Sequence, residues 1–164
     1  MIAIADASPL IVLSKLELLN LLRPLYPELL ISTQVRDELV THGRGRAGAA
    51  EIAAAPWISV RSLQDSAALA PAASAFSLGL GEMSTILLGS ELKADVLLMD
   101  ERKARRVAKV LGLPVVGCAG LLERLYARGD ITDLRAIFQK LASVSYIQLE
   151  LLNARLRSFG LDPL

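Results

Sequence analysis

An α/β fold with a parallel sheet covered by helices on both faces is what this sequence predicts, on three observations. Short uncharged apolar runs recur at residues 1–5, 29–31, 57–60, 96–99 and 115–116, and such runs without polar alternation read as strands buried on both faces. Each is followed by a stretch with apolar residues at helical spacing, the alternation that builds parallel sheets. With 53% hydrophobic and 21% charged residues in a chain of 164, there is enough apolar material for a real core in one domain spanning residues 1–164. A helical extension is expected from about residue 131.

The first strand ends at Asp6, and Ser8 with Pro9 are expected to open a helix carrying Leu10, Leu13, Leu16 and Leu18, since Ser is a good N-cap and Pro suits the first helical position. That leaves Asp6 spare, a carboxylate just beyond a strand. After a short helical turn over residues 20–27 and the second strand, Ser32 or Thr33 caps a helix to about Val40. Val35, Glu38, Leu39 and His42 share one face of it, which places Glu38 on or beside the core side, where an acid is costly unless paired or coordinated. Residues 41–50 form a Gly- and Arg-rich loop with Arg44 and Arg46, suited to following a phosphate backbone or simply to solvent. Residues 49–55 read as a short helix ended by Pro56, and the strand after it begins at Trp57, a packing residue at the sheet edge.

The longest uncharged stretch, residues 66–81, is interrupted by Pro71 and Gly79 and is too short and weakly apolar to span a bilayer. The helix after it has Met83, Ile86, Leu87 and Ser90 as its expected buried stripe, with Glu82 in its first turn, where the macrodipole favours an acid. Gly79 and Gly81 permit a close approach of a ligand to the backbone. The fourth strand runs into Asp100-Glu101 and then a basic helix with Arg102, Lys103, Arg105, Arg106 and Lys109. Asp100 either caps that helix or serves a ligand at the carboxyl edge of the sheet. A last strand leads into a helix over residues 121–128 closed by Gly129. Asp133 caps a helix over 134–141, and Ser145 with Gln148 suggests a capping box for a helix to about Phe159.

Charge and rare residues narrow the chemistry. A net charge of +1 excludes a uniformly basic nucleic-acid coat, so contacts of that kind must come from a local cluster. The single cysteine, Cys118, and single histidine, His42, exclude a disulfide and a multi-histidine metal site; together with the absence of a basic leader, they give a cytoplasmic setting as the expectation. What remains is carboxylate chemistry. If the sheet brings Asp6, Glu38, Glu82 and Asp100 together, with Glu101 beside them, mutual repulsion requires protons or cations. Oxygen ligands alone select Mg²⁺ or Mn²⁺, and such sites suit phosphodiester cleavage.

These acids in this order resemble the PIN-domain nucleases: a strand ending in Asp-x-Ser-Pro-Leu-Ile, a Glu near residue 40, a Gly-Glu helix start, and a strand ending in Asp-Glu-Arg before a basic helix. The likeness covers most of the chain, to about Leu141, and is nearest to a VapC-like toxin subgroup. It implies a three-layer α/β/α fold and cleavage of single-stranded RNA with Mg²⁺ or Mn²⁺, with Asp6, Glu38, Glu82 and Asp100 as catalytic metal ligands and Ser8 as the hydroxyl beside the first. It also implies a homodimer and inhibition by a small antitoxin. Two departures stand out. The third acid is Glu82 where typical members carry Asp, and Asp100-Glu101 lacks the Thr-x-Asn/Asp spacing of typical toxins, leaving open which of the pair ligates.

Substrate contacts are expected from Arg102, Lys103, Arg105 and Arg106, with a solvated helix face or a pairing with Glu101 as the alternative for Lys103. A dimer is expected to use Leu18, Leu21 and Leu22 and the helices after Gly112. The last helix, with Ile147, Leu151, Leu152 and Leu156, either packs on its own domain or receives an antitoxin. A non-catalytic PIN-like binding module is the competing reading. A receiver or phosphohydrolase is weaker, since the phosphohydrolase Asp-x-Asp is absent after the first strand.

Overall fold

The computed structural model describes residues 1–41 and 48–164, so His42 and the basic loop around Arg44 and Arg46 lie outside the described residues. Among the described residues five strands form one sheet: β1 (Ala3–Ala5), β2 (Leu29–Ser32), β3 (Ile58–Arg61), β4 (Val96–Leu98) and β5 (Val115–Val116), in the spatial order β3-β2-β1-β4-β5. Every pairing is parallel, with Ala3 opposite both Leu29 and Val96. The helices are α1 (Ala7–Lys15), α2 (Thr33–Arg36), α3 (Ala49–Ala53), α4 (Leu69–Phe76), α5 (Leu80–Leu92), α6 (Arg102–Val110), α7 (Cys118–Arg128), α8 (Leu134–Val144) and α9 (Leu149–Ser158).

Strand periodicity sorts the core into two layers. Ala3, Ala5, Leu29, Ile31, Val96 and Leu98 face one core, shared with Leu10 and Leu13 of α1, Leu121 and Leu125 of α7, Phe138 of α8 and Leu152 of α9. Ile4, Leu30, Leu97 and Met99 face the other, closed by Leu69 of α4, Ile86 of α5 and Ala104 of α6. This is the expected three-layer α/β/α arrangement. Side chains of both parities are apolar because both faces are covered.

The chain lays β1, β2 and β3 outward in one direction, then returns to place β4 on the other side of β1. The direction of winding therefore reverses between β1 and β4, and the crevice beyond the carboxyl ends of two such strands is where doubly wound sheets bind ligands.

Several local expectations change. The first helix begins at Ala7, with Asp6 in the N-cap position and Ser8 already inside the first turn, so Ser8 is not the cap. The stretch with Pro71 contains α4, because a proline in a helix's first turn removes a donor that has no intrahelical partner anyway. In α5, Ser90 is exposed and Leu87 half-buried, while Ser84, Thr85, Leu88 and Gly89 are buried. This helix packs against the sheet, α2 and α4 at once, so no single stripe describes it. Ser84 and Thr85 settle their hydroxyls by donating to the Gly81 carbonyl at 2.7 and 3.0 Å.

At the end of the chain no capping box forms. Ser145 donates back to the Leu141 carbonyl at 2.7 Å, and Gln148 occupies the N-cap position without a side-chain bond. The last helix packs on its own domain: Leu152 and Leu156 are fully buried in the first core, although Leu151 stays half exposed. Leu22 is fully buried, and Leu18 and Leu21 pack partly against that same core, so they do not form the exposed apolar patch expected of them.

Candidate active site

At the crevice between β1 and β4, pairing continues one residue past each strand: the Asp6 N–H donates to the Leu98 carbonyl at 2.9 Å, and the Met99 N–H to the Val116 carbonyl at 3.0 Å. The sheet thus fixes the backbone of Asp6 and delivers Asp100 one residue beyond a paired position. Asp6 has the extended backbone of an N-cap, but its side chain makes no capping bond. It is only 4% exposed. Burial, opposed by the Ala7 backbone N–H and aided to a lesser degree by the charges of Glu82, Glu38 and Asp100, pushes its carboxyl from the ordinary 3.8 up to about 7.

The other acids reach the crevice on helix starts. Glu82 stands in the first turn of α5 and accepts the Gly79 N–H at 3.1 Å, which completes the cap of that helix. Glu38 lies in a π-helical turn, Asp37–Thr41, that continues α2. The wider turn leaves Val35 and Leu39 buried and Glu38 exposed at the margin of the core face. Its carboxylate packs on Gly81 so closely that a Cβ there would collide with it. The glycine beside Glu82 therefore admits another acid of the site, not a ligand backbone.

Asp100 and Glu101 divide their duties. Glu101 caps α6, accepting the Ala104 N–H at 2.7 Å, so the cap expected of Asp100 belongs to its neighbour. Asp100 instead turns to the start of α7, accepting the Cys118 N–H at 2.7 Å and the Cys118 thiol at 2.9 Å. Burial and the adjacent Asp100 carboxylate push the Cys118 thiol well above its usual range, so it stays a protonated donor. Gly117 is needed for this approach, because a Cβ there would stand 2.8 Å from an Asp100 carboxylate oxygen.

Asp6, Glu38, Glu82, Asp100 and Glu101 line one cleft of about 720 Å³, with Ser8, Lys15 and Arg102 among its polar walls. Ile11 and Val12 of α1, and Val144, Ile147 and Leu151 from the α8–α9 corner, form its apolar side. The basic residues separate. Arg102 reaches this cleft, whereas Arg105 and Arg106 line a second groove beside it. Arg105 also donates to the Met99 carbonyl at 3.1 Å, and Lys103 is turned away to the Ser77 carbonyl at 3.1 Å. Sequence reasoning missed Lys15, the Cys118 thiol and the α8–α9 corner. A lone Lys or Cys has no spacing signal, and the corner enters only through tertiary packing.

Among the described residues, no three Asp, Glu, His or Cys side chains stand close enough to hold one ion as they are oriented. The chemistry of the donor set nevertheless fits a hard divalent cation. It is all oxygen, carries no His or Cys ligand pattern, and crowds negative charge around a buried carboxyl that a cation would relieve. The Glu82 and Asp100 oxygens that accept the Gly79 and Cys118 N–H groups each keep a further lone pair for an ion.

A model of the PIN-domain family matches residues 2–160. No curated protein and no solved structure matches the chain. The family match runs from the start of β1 through α9 and takes in every acid of the cleft, so the chain belongs to the PIN-domain family, a class of nucleases that typically work with divalent cations.

Proposed function

We propose that this PIN domain is a Mg²⁺- or Mn²⁺-dependent endoribonuclease acting on single-stranded RNA, and that it is the toxin of a toxin–antitoxin pair. The observation that carries the nuclease reading is the convergence of four separately placed acids, Asp6, Glu38, Glu82 and Asp100, on one cleft at the crevice between β1 and β4. The RNA and toxin assignments rest on the likeness of the acid motifs to the VapC-like subgroup.

A divalent cation bound among the acids would supply Lewis-acid activation of the attacking water and neutralise charge on the leaving oxygen. The chain's own residues do the rest. Asp6 offers a carboxylate from the cleft floor in a position set by the sheet, and Glu82 and Asp100 are oriented by the Gly79 and Cys118 N–H groups. Lys15 and Arg102, at the same cleft, are the cations available to the scissile phosphate. Ser8 stands beside Asp6 as a hydroxyl for the substrate. Glu101, committed to its cap, is a reserve ligand.

Incubation of the purified protein with structured and unstructured RNA in Mn²⁺, Mg²⁺ or EDTA tests this. Cleavage of the unstructured RNA with either metal and none in EDTA is expected; activity that persists in EDTA contradicts it. The competing reading, a non-catalytic PIN-like module that binds RNA or protein, draws on the carboxylates' present orientation toward protein donors instead of toward one point. It predicts no cleavage in any condition.

The partners that follow are a small antitoxin and a second copy of the chain. A dimer has exposed apolar side chains to use at Tyr146, Leu149 and Leu151 near the α8–α9 corner and at Val110 and Leu111 at the end of α6. Light scattering at micromolar concentration is expected to give twice the chain mass, and a clean 17.6 kDa species refutes the dimer.

A further inference from the structure

The second groove, about 380 Å³, lies between α6, the start of α7 and α9, and five cations line it: Arg102, Arg105, Arg106, Lys109 and Arg155. Among the described residues Asp100 is its one acid, and both carboxylate oxygens of Asp100 already accept bonds from Cys118. Among the described residues, Arg102, Arg106 and Lys109 form no ion pair. Arg155 spends one nitrogen on Glu123 at 2.7 Å, while its buried Nε has no partner. Like charges lining one groove repel, and Arg102 also sits in the first turn of α6, the end of a helix that disfavours cations. An anion in the groove relieves both.

The groove is continuous with the acidic cleft, since Asp100, Arg102, Ile147 and Leu151 line both. We infer that it is a subsite for the phosphate backbone of the substrate, holding the phosphates next to the one cleaved. The inference rests on the nuclease reading for its direction, because a chain with one phosphodiester at the acids must continue past Arg102. It goes beyond that reading in giving α9, through Arg155, a part in binding. Lys109 joins Arg105 and Arg106 there, and Lys103 is excluded. Recognition of this kind is indifferent to base and strongly salt-dependent.

The test is fluorescence anisotropy of a labelled single-stranded RNA of about a dozen nucleotides, in EDTA, over a range of salt concentrations. The proteins are the wild type, an Arg106→Ala/Lys109→Ala double variant and Lys103→Ala. All three substitutions are at exposed positions, so the fold is preserved. The double variant is expected to lose about 0.7 in salt slope per phosphate contact, about 1.4 in all, and to bind at least about tenfold more weakly near 0.1 M salt. Lys103→Ala is expected to match wild type. Equal affinity and slope in the double variant and wild type overturn the subsite. So does displacement of the RNA by polyglutamate at equal charge concentration, which assigns the groove to an acidic protein. Wild-type cleavage in Mn²⁺ with unchanged binding by the double variant removes the subsite alone. Groove-dependent binding with no cleavage removes the nuclease reading alone.

Discussion

Asp6 shows how much one residue can carry. Its place was legible because it follows an uncharged apolar run, and the sheet does put it at a strand end. Its surroundings were not legible, since Glu38, Glu82 and Asp100 approach it only through the topology. The consequence is a linkage between pH and stability. An unfolded carboxyl near 3.8 and a folded one near 7 mean that the native chain binds more protons between those values, so metal-free stability falls as pH rises from about 4 to about 7. At about 1.4 kcal/mol per pH unit, the loss across that window is at most roughly 4 kcal/mol. Denaturant unfolding of the metal-free protein at pH 5 and pH 8 should show it, and Asp6→Asn should flatten the dependence and be the more stable protein at pH 8. A variant destabilised at both pH values would instead give Asp6 a structural role. Gly81 and Gly117 belong to the same scale. The sequence marks Gly81 as open to a ligand and Gly117 only as a glycine, whereas the side chains they admit, Glu38 and Asp100, come from distant segments.

Among the elements, the strands were the most readable, because being covered on both faces leaves a short apolar run with no other interpretation. Helix beginnings were less so. Ser8 and Ser145 have the right chemistry for caps, yet Asp6 and Gln148 take those positions, since where a helix starts is decided by the strand or corner before it. The Asp100-Glu101 pair is the instructive case: adjacent acids at one strand end serve two different helices, Glu101 capping α6 and Asp100 meeting α7. If this division persists with metal bound, Glu101→Ala should cost about 1 kcal/mol of stability, as a lost cap does, with little change in Mn²⁺ affinity. Asp100→Asn should weaken Mn²⁺ binding strongly. Calorimetric titration of both variants separates the roles, and loss of Mn²⁺ binding in Glu101→Ala alone would reverse the assignment.

For the whole molecule, the spatial order of the strands is what turns scattered acids into a site, and it was the least accessible from the sequence. Strands that are apolar on both faces do not state their neighbours, and β1 distinguishes its faces only by size, alanines toward one core and Ile4 toward the other. The return of the chain to lay β4 beside β1 creates the crevice, and the α8–α9 corner walls it. In the function proposed, this crevice cleaves RNA through a cation held by acids including Asp6. That function is tested most directly by the cleavage rate of a single-stranded RNA in Mn²⁺, wild type against Asp6→Asn, with EDTA as control. Cleavage by the wild type is expected only with metal, with a loss of at least about a hundredfold in a folded Asp6→Asn, since metal stabilisation of the transition state is worth several kcal/mol. Equal rates for the two proteins, or cleavage undiminished by EDTA, would contradict it.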